Sequence, residues 1–195
     1  MSSKKYIIGI DEVGRGPLAG PVAVCALALP EGLKIKKTGL KDSKKLSAKQ
    51  REEWLEYIKK CPQIFYAVSR VYPNIIDKIN ISQAANLAAN RSLEKLFGTY
   101  KLNYKKCRVL LDGGLFVSEK YKARTIIKGD EKITAIKLAS IAAKVDRDGL
   151  LEKYAEKFKK YGFDMHKGYG TKHHIKIIKK HGPLKIHRLT FLKNL

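Results

Sequence analysis

Apolar and polar positions alternate along this chain in a way that divides it into short strand-like runs and longer helical ones. Tyr6, Ile7, Ile8 and Ile10 form an aromatic and β-branched run that predicts a strand beginning at Lys5. Pro17, Gly20 and Pro21 punctuate a turn, and the unbroken apolar run Val22 to Leu29 predicts a second, buried strand. A polar loop from Pro30 to Lys41 follows. Ser47, with Gln50 three residues later, gives a capping-box signal for a helix over Ala48 to Lys60, which Pro62 ends. Phe65 to Tyr72 reads as a strand broken by Pro73, and Ser82 is placed to cap a helix over Gln83 to Phe97 that stops at Gly98. Cys107 to Gly114 reads as a buried strand ending in an acid and two glycines, and Thr125 to Lys128 as a short strand before Gly129 and Asp130. Ala135, Leu138, Ala139, Ala142 and Val145 recur at helical spacing in a stretch from about Ile133 to Lys160. Tyr161 to Thr171 is a glycine-rich loop, and His173 to Lys180 is a last, basic helix closed by Gly182 and Pro183.

That order of elements predicts an α/β fold, a mixed central β-sheet flanked by helices. Nothing in the pattern repeats or marks a linker, so residues 1–195 are expected to form a single domain. Composition adds the partner. Lys and Arg number 41 against 18 Asp and Glu, a formal net charge of +23, which points to a polyanion: nucleic acid first, an anionic membrane surface second. The Val22–Leu29 run is too short to span a bilayer, and MSSKK has no apolar leader segment, so neither a membrane anchor nor a signal peptide is expected. Cys25, Cys61 and Cys107 are odd in number and far apart, which suits a reducing, cytoplasmic setting and argues against structural zinc. A monomer is the default expectation.

Charge also makes the few acids conspicuous. Three expected strands end in one: Asp11 with Glu12, then Asp112, then Asp130. Strand ends are where an α/β sheet collects ligands and catalytic groups. Carboxylates gathered there repel one another and are tolerated when divalent cations lie between them. An all-oxygen set favours Mg²⁺ or Mn²⁺, and beside so basic a surface it suggests two-metal phosphodiester hydrolysis. Each acid on its own also fits a solvated loop or a turn-forming Asp before Gly. Asp11 and Glu12 raise a geometric problem, because adjacent side chains on a regular strand point to opposite faces. Either the strand twists or bulges after Ile10, or Glu12 serves the edge of the centre as the chain turns into Gly14.

Several segments together resemble the ribonuclease HII family, the type 2 ribonucleases H, over essentially the whole length. They are GIDEVGRGPLAGPV (Gly9 to Val22), DSKKLS (Asp42 to Ser47), LLDG (Leu110 to Gly113), KGD (Lys128 to Asp130), ASIAAKVDRD (Ala139 to Asp148) and HKGYGTKHH (His166 to His174). The resemblance implies a ribonuclease H-like fold with a helical C-terminal part, about 161–195, that contacts substrate. It implies Asp11, Glu12, Asp112 and Asp130 as catalytic acids holding two Mn²⁺ or Mg²⁺ ions. The implied activity is endonucleolytic cleavage 5′ to a ribonucleotide, in RNA–DNA hybrids and at single ribonucleotides in duplex DNA, leaving 3′-OH and 5′-phosphate ends. Gly14, Arg15 and Gly16 are implied to recognise the ribonucleotide, and Tyr169 to stack on its sugar. Lys44, Lys45, Ser140 and Lys144 are implied to lie along the substrate backbone, although a Lys-Lys pair in so basic a chain also fits a solvated face. Asp146 and Asp148 flank Arg147 and read as helix-surface ion pairing. The five histidines show no metal-ligand spacing, and Lys137, where the family has a small residue, is expected to snorkel to solvent. Two rivals remain: ribonuclease HIII, which carries an N-terminal extension and a Glu where this chain has Asp130, and a non-catalytic basic RNA-binding protein.

Overall fold

In the computed structural model, residues 5–193 are described; MSSKK, apart from Lys5, lies outside that range. Among them, five strands form one sheet: β1 (Tyr6–Val13), β2 (Val22–Pro30), β3 (Phe65–Val71), β4 (Cys107–Asp112) and β5 (Arg124–Ile126), in the order β3-β2-β1-β4-β5. The β1–β2 and β2–β3 pairs are antiparallel, while β1–β4 and β4–β5 are parallel, so the sheet is mixed as expected. The helices are α1 (Ala48–Lys60), α2 (Pro73–Tyr100), α3 (Gly129–Lys132), α4 (Thr134–Lys157), α5 (Phe163–His166) and α6 (Lys172–His181).

Strand periodicity divides the core between the two faces. Ile8, Ile10, Val24 and Leu111 face α2, whose Ala84, Ala85, Ala88, Ala89 and Leu93 keep that helix close to the sheet. Cys25, Leu27 and Leu29 face the other way, onto Trp54 and Ile58 of α1 and onto Leu138, Ala139 and Ala142 of α4. β2 is buried along its whole length, which explains its unbroken apolar run. The approach of α4 to β1 is set by Gly9, where a Cβ would lie 2.2 Å from the Ala135 carbonyl carbon. This contact carries Ser140, further along α4, to the end of β1.

Several boundaries differ from the sequence expectation. The capping box of α1 forms as predicted, with Ser47 and Gln50 side chains each accepting from the other's backbone amide. Pro73 begins α2 at its first turn and does not merely break β3. Within α2, Asn80 is non-helical (φ 64°, ψ 168°), and its side chain accepts from the Ser82 and Gln83 amides. Asn80 is therefore the cap assigned above to Ser82, and asparagine tolerates the left-handed φ better than most residues do. The helix also runs through Gly98 to Tyr100. Asp130 does not follow directly from a strand: β5 ends at Ile126, and Asp130 sits in the first turn of α3. The long helix expected to reach Lys160 ends at Lys157, a 3₁₀ turn at Lys159–Tyr161 leads into the loop expected at Tyr161–Thr171, and that loop contains the short helix α5.

Candidate active-site cleft

β1 stays in register to its end, with Asp11, Glu12 and Val13 opposite Cys25, Val24 and Ala23. The strand neither bulges nor slips, so Asp11 and Glu12 do point to opposite faces. On the other side Ile10 pairs with Leu111. Asp11 and Asp112 are thus the next residues on two neighbouring parallel strands, both turned to the α4 face. Glu12 emerges on the α2 face and bends over the sheet's end.

A cleft of about 290 Å³ gathers Asp11, Glu12, Gly14, Ser43, Lys44, Asp112, Ser140, Lys144 and Tyr169. Larger hollows lie along β3 and beside Pro30, at about 580 and 510 Å³. Neither concentrates acids, so chemistry singles out the smaller one.

Each carboxylate is held differently. Asp11 is buried and accepts its neighbour's amide (Glu12 N–H to Oδ1, 2.8 Å), while the nearby Ser140 hydroxyl, which Ser43 contacts at 2.8 Å, favours its charged form. Burial first, and then the Glu12 charge, push Asp11 well above the usual carboxylate range. Glu12 is also pushed up by burial, against the opposing pull of Arg15 at 3.2 Å. Its other oxygen, Oε2, is buried with no hydrogen-bond partner, which is costly for a carboxylate. Asp112 Oδ1 accepts the Gly129 amide at 2.7 Å, with the Asp130 amide at 3.4 Å, and so ties α3 to β4. Asp130 is buried in the first turn of α3 with Lys44 Nζ 3.5 Å from its Oδ2, and it is not among the cleft's lining residues. Among the described residues, no three acids, imidazoles or thiols are drawn into a ready-made metal cage.

The other expected site residues divide. Lys44 and Ser140 line the cleft, although Ser140 is buried with its hydroxyl engaged. Lys144 lines it too and pairs with Asp148 at 2.9 Å. Arg15 stands beside the cleft, bonded to Glu12 and to Ser82 Oγ at 3.0 Å. Gly16 lies under Tyr169, whose ring would be 3.8 Å from a Cβ at that position. Tyr169 itself is 45 % exposed at the mouth. Lys45 is exposed and is not among the cleft's lining residues.

Arg147, which the sequence places in a charged helix surface, and Arg188, which the sequence leaves without a role, hold the Gly14–Pro21 loop. Arg147 is fully buried and donates to the carbonyls of Pro21 (3.0 Å), Ala19 (3.2 Å) and Lys167 (3.1 Å). Arg188, also fully buried, donates to the carbonyls of Gly14 (2.6 Å), Arg15 (2.7 Å) and Gly20 (2.9 Å). Gly14 has φ +92°, and a Cβ there would stand 2.2 Å from Arg147 Nε, so this position accepts only glycine. Arg147 therefore takes no part in surface ion pairing. Of its flanking acids, Asp146 pairs with Arg70 of β3 and Asp148 with Lys144. Burial lowers both guanidiniums. Arg188, beside the Arg147 charge, comes down to about 9.

A mixed five-stranded sheet of this order, flanked by helices on both faces, is the ribonuclease H-like fold. The ribonuclease H2 of Pyrococcus horikoshii OT3 superposes on it with a TM-score of 0.70 at 25 % identity, over 97 % of this chain and 100 % of that one. Fold and strand-end acids together define an enzyme of the ribonuclease H type. A family model for ribonuclease HII matches residues 8–194. The ribonuclease HII of Ruminiclostridium cellulolyticum is 47 % identical over 189 residues, covering 97 % of this chain and 71 % of its own. That of Caldicellulosiruptor bescii is 44 % identical over 191 residues, covering 98 % and 88 %. This chain belongs to the ribonuclease HII family.

Proposed function

We propose that this chain is an endoribonuclease that hydrolyses the phosphodiester 5′ to a ribonucleotide, in RNA–DNA hybrids and at single ribonucleotides in duplex DNA. The products are 3′-OH and 5′-phosphate ends. The observation that carries the reading is electrostatic: Asp11, Glu12 and Asp112 converge on one cleft, two of them pushed up by burial, with Glu12 Oε2 unpartnered. A buried, unsatisfied carboxylate set of hard oxygens fits divalent cations. Asp11, Glu12, Asp112 and Asp130 would hold two Mn²⁺ or Mg²⁺ ions, which would supply charge neutralisation and a more acidic water.

The protein's own groups do the rest. Ser140, backed by Ser43, steadies Asp11. Arg15 holds one Glu12 oxygen and leaves the other directed inward. Gly14, Arg15 and Gly16 bring backbone groups close to the ribose, where a 2′-OH distinguishes RNA from DNA. Tyr169, above Gly16, offers its ring to the same sugar. Lys44, Lys45 and Lys144, and the basic region about 161–195 with Lys172, Lys176, Lys179 and Lys180, meet the phosphate backbone. Among the described residues no helix is long and apolar enough to cross a membrane. The three cysteines are free, which fits a reducing cytoplasm.

The test is a labelled duplex carrying one ribonucleotide, incubated with and without Mn²⁺ or Mg²⁺. The wild-type protein should cut 5′ to the ribonucleotide only with metal. Asp112→Asn should bind the duplex yet leave it uncut. Undiminished cleavage by Asp112→Asn, or metal-independent binding with no cleavage by the wild type, would overturn the assignment.

A further inference from the structure

Behind Tyr169 lie three histidines that the hydrolytic reading leaves without a task. His166, His174 and His187 are 7 %, 0 % and 2 % exposed. His166 stacks on His174 with ring centroids 4.1 Å apart, and Phe163 presents an edge to both. Their protons follow from what the backbone can donate and accept. The Leu184 N–H lies 2.8 Å from His187 Nδ1, so that nitrogen accepts, and the proton of a neutral ring sits on Nε2. The Leu184 carbonyl, 3.2 Å from the same Nδ1, then has no hydrogen to receive there, and the shorter contact decides. His187 Nε2 faces His174 Nε2 at 3.0 Å, and two ring nitrogens at that distance share one proton. His174 Nε2 therefore accepts, and His174 carries its own proton on Nδ1, 2.8 Å from the Tyr169 carbonyl. Separately, the Gly168 amide donates to His166 Nδ1 at 3.1 Å, so His166 Nε2–H donates to the Tyr161 carbonyl at 2.7 Å. Finally, the Tyr169 amide donates to the His166 carbonyl at 2.8 Å.

All six ring nitrogens are engaged, which leaves none for a metal or for proton transfer to a substrate. What the three rings do share is the turn carrying Tyr169, gripped at residues 168 and 169. We propose that His187, His174 and His166 form a neutral, tautomer-locked hydrogen-bond network that positions Tyr169 at the cleft mouth and so sets recognition of the ribonucleotide. This rests on the reading of Tyr169 as a substrate contact. A second proton on any ring would set two hydrogens against each other: on His174 against His187, on His166 against the Gly168 amide, on His187 against the Leu184 amide. Burial acts in the same direction, lowering all three and bringing His174 to about 4. The other titratable groups facing them are His173 of α6, Asp164 of α5 and Tyr161, whose ring lies 5.6 Å from that of His187 and whose hydroxyl donates to the Gly182 carbonyl.

Two measurements test the network. Imidazole ¹⁵N spectra of the wild-type protein at pH 7 should show three neutral rings, His174 as the Nδ1–H tautomer and the other two as Nε2–H. A charged ring among them, or His174 as Nε2–H, overturns the network. Because the spectra are read on the wild-type protein, they decide this point even where a variant fails to fold. In kinetics on a single-ribonucleotide duplex, His174→Phe keeps the ring stack and loses both bonds. It should raise KM by about 3–10-fold with kcat within about 2-fold, the size of one lost hydrogen bond to a positioning contact. His174→Asn, which places an amide where Nδ1 stood, should restore most of that loss. In a Tyr169→Ala background, His174→Phe should add nothing. Multiplying effects would mean that the histidines act elsewhere, and would overturn the proposal. A Tyr169→Ala protein with wild-type KM would overturn the reading of Tyr169 itself, and with it this role for the network, whatever tautomers the spectra show.

Discussion

The acid cleft and the loop beside it are neighbours in sequence and opposites in physics. At the end of β1, buried like charges lie together, two of them pushed up by burial and one oxygen without a partner. A few residues later, the carbonyls of Gly14, Arg15, Ala19, Gly20 and Pro21 are all bonded to buried guanidiniums. One region is incomplete by itself, and the other is satisfied to the point of rigidity. The contrast divides the proposed labour: the cleft lacks compensating charge of its own, whereas the Gly14–Pro21 loop, proposed to read the ribonucleotide, is held in place by the protein itself.

The sharpest way to break this contrast is to unsettle the loop from behind. Arg188→Leu leaves three buried carbonyls short of donors while keeping an apolar stem. The expected cost is about 3 kcal/mol, since unsatisfied buried groups each cost ~1–3 kcal/mol and such losses do not add fully. For a chain of this size that is a fall in Tm of roughly 6–12 °C. Arg188→Lys should recover little, because a point ammonium cannot reproduce a planar fork. Thermal melts check both, and an Arg188→Leu protein melting within a degree of wild type would mean that the clamp carries no weight.

These arginines also show where the sequence stops being legible. β1, β2, β4 and the α1 cap are readable because local pattern and tertiary role agree: apolar runs are buried, and Ser47 with Gln50 closes its own box. The Asp-Glu and Leu-Leu-Asp strand ends are legible for the same reason. Arg147 is not, because Asp-Arg-Asp on a helix has the composition of an exposed face. Only the packing of the Gly14–Pro21 loop over that turn of α4 buries it. Arg188 is equally silent, since its partners lie more than 160 residues away in sequence. The neighbours of Asp130 suggest a strand end, yet it sits in a four-residue helix tied to Asp112 by the Gly129 amide, outside the cleft's lining. The one available signal for Arg147 is its spacing from Ser140, seven residues or two turns, which puts both on one side of α4.

A smaller effect sharpens the other half of the contrast. Asp11 and Glu12 have folded-state values raised above those of the unfolded chain. As pH climbs through the carboxylate range the unfolded state loses its protons first, so their contribution to stability falls with rising pH. Removing one charge should relieve that penalty. In chelator at neutral pH, Asp11→Asn is expected to stabilise the protein by about 1 kcal/mol, or ~2–4 °C, while abolishing cleavage. Added Mn²⁺ should then raise the Tm of the wild-type protein and leave Asp11→Asn nearly unmoved. A destabilised Asp11→Asn in chelator would show that the acids are not strained, and the contrast would lose its basis.

The finest test separates two adjacent lysines that are indistinguishable in sequence. Lys44 lines the cleft with its ammonium 3.5 Å from Asp130. Burial opposes its charge, but the Asp130 and Asp42 charges outweigh that and hold it above its ordinary value. Lys45 sits on the same 3₁₀ turn, is exposed like Lys44, and does not line the cleft. Both side chains are exposed, that of Lys44 by 81 %, so salt screens both within about 8 Å. What separates them is that Lys44 stands at the cleft beside Asp130 and Lys45 does not. Lys44→Ala should therefore lower kcat/KM by about 3–10-fold, a loss that shrinks as salt rises because its ammonium is exposed. Lys45→Ala should change kcat/KM by less than about 2-fold, with the difference shrinking further as salt rises. Equal losses from the two variants would place both side chains on the phosphate backbone, and Lys44 would then belong to the diffuse basic surface and have no special place beside Asp130.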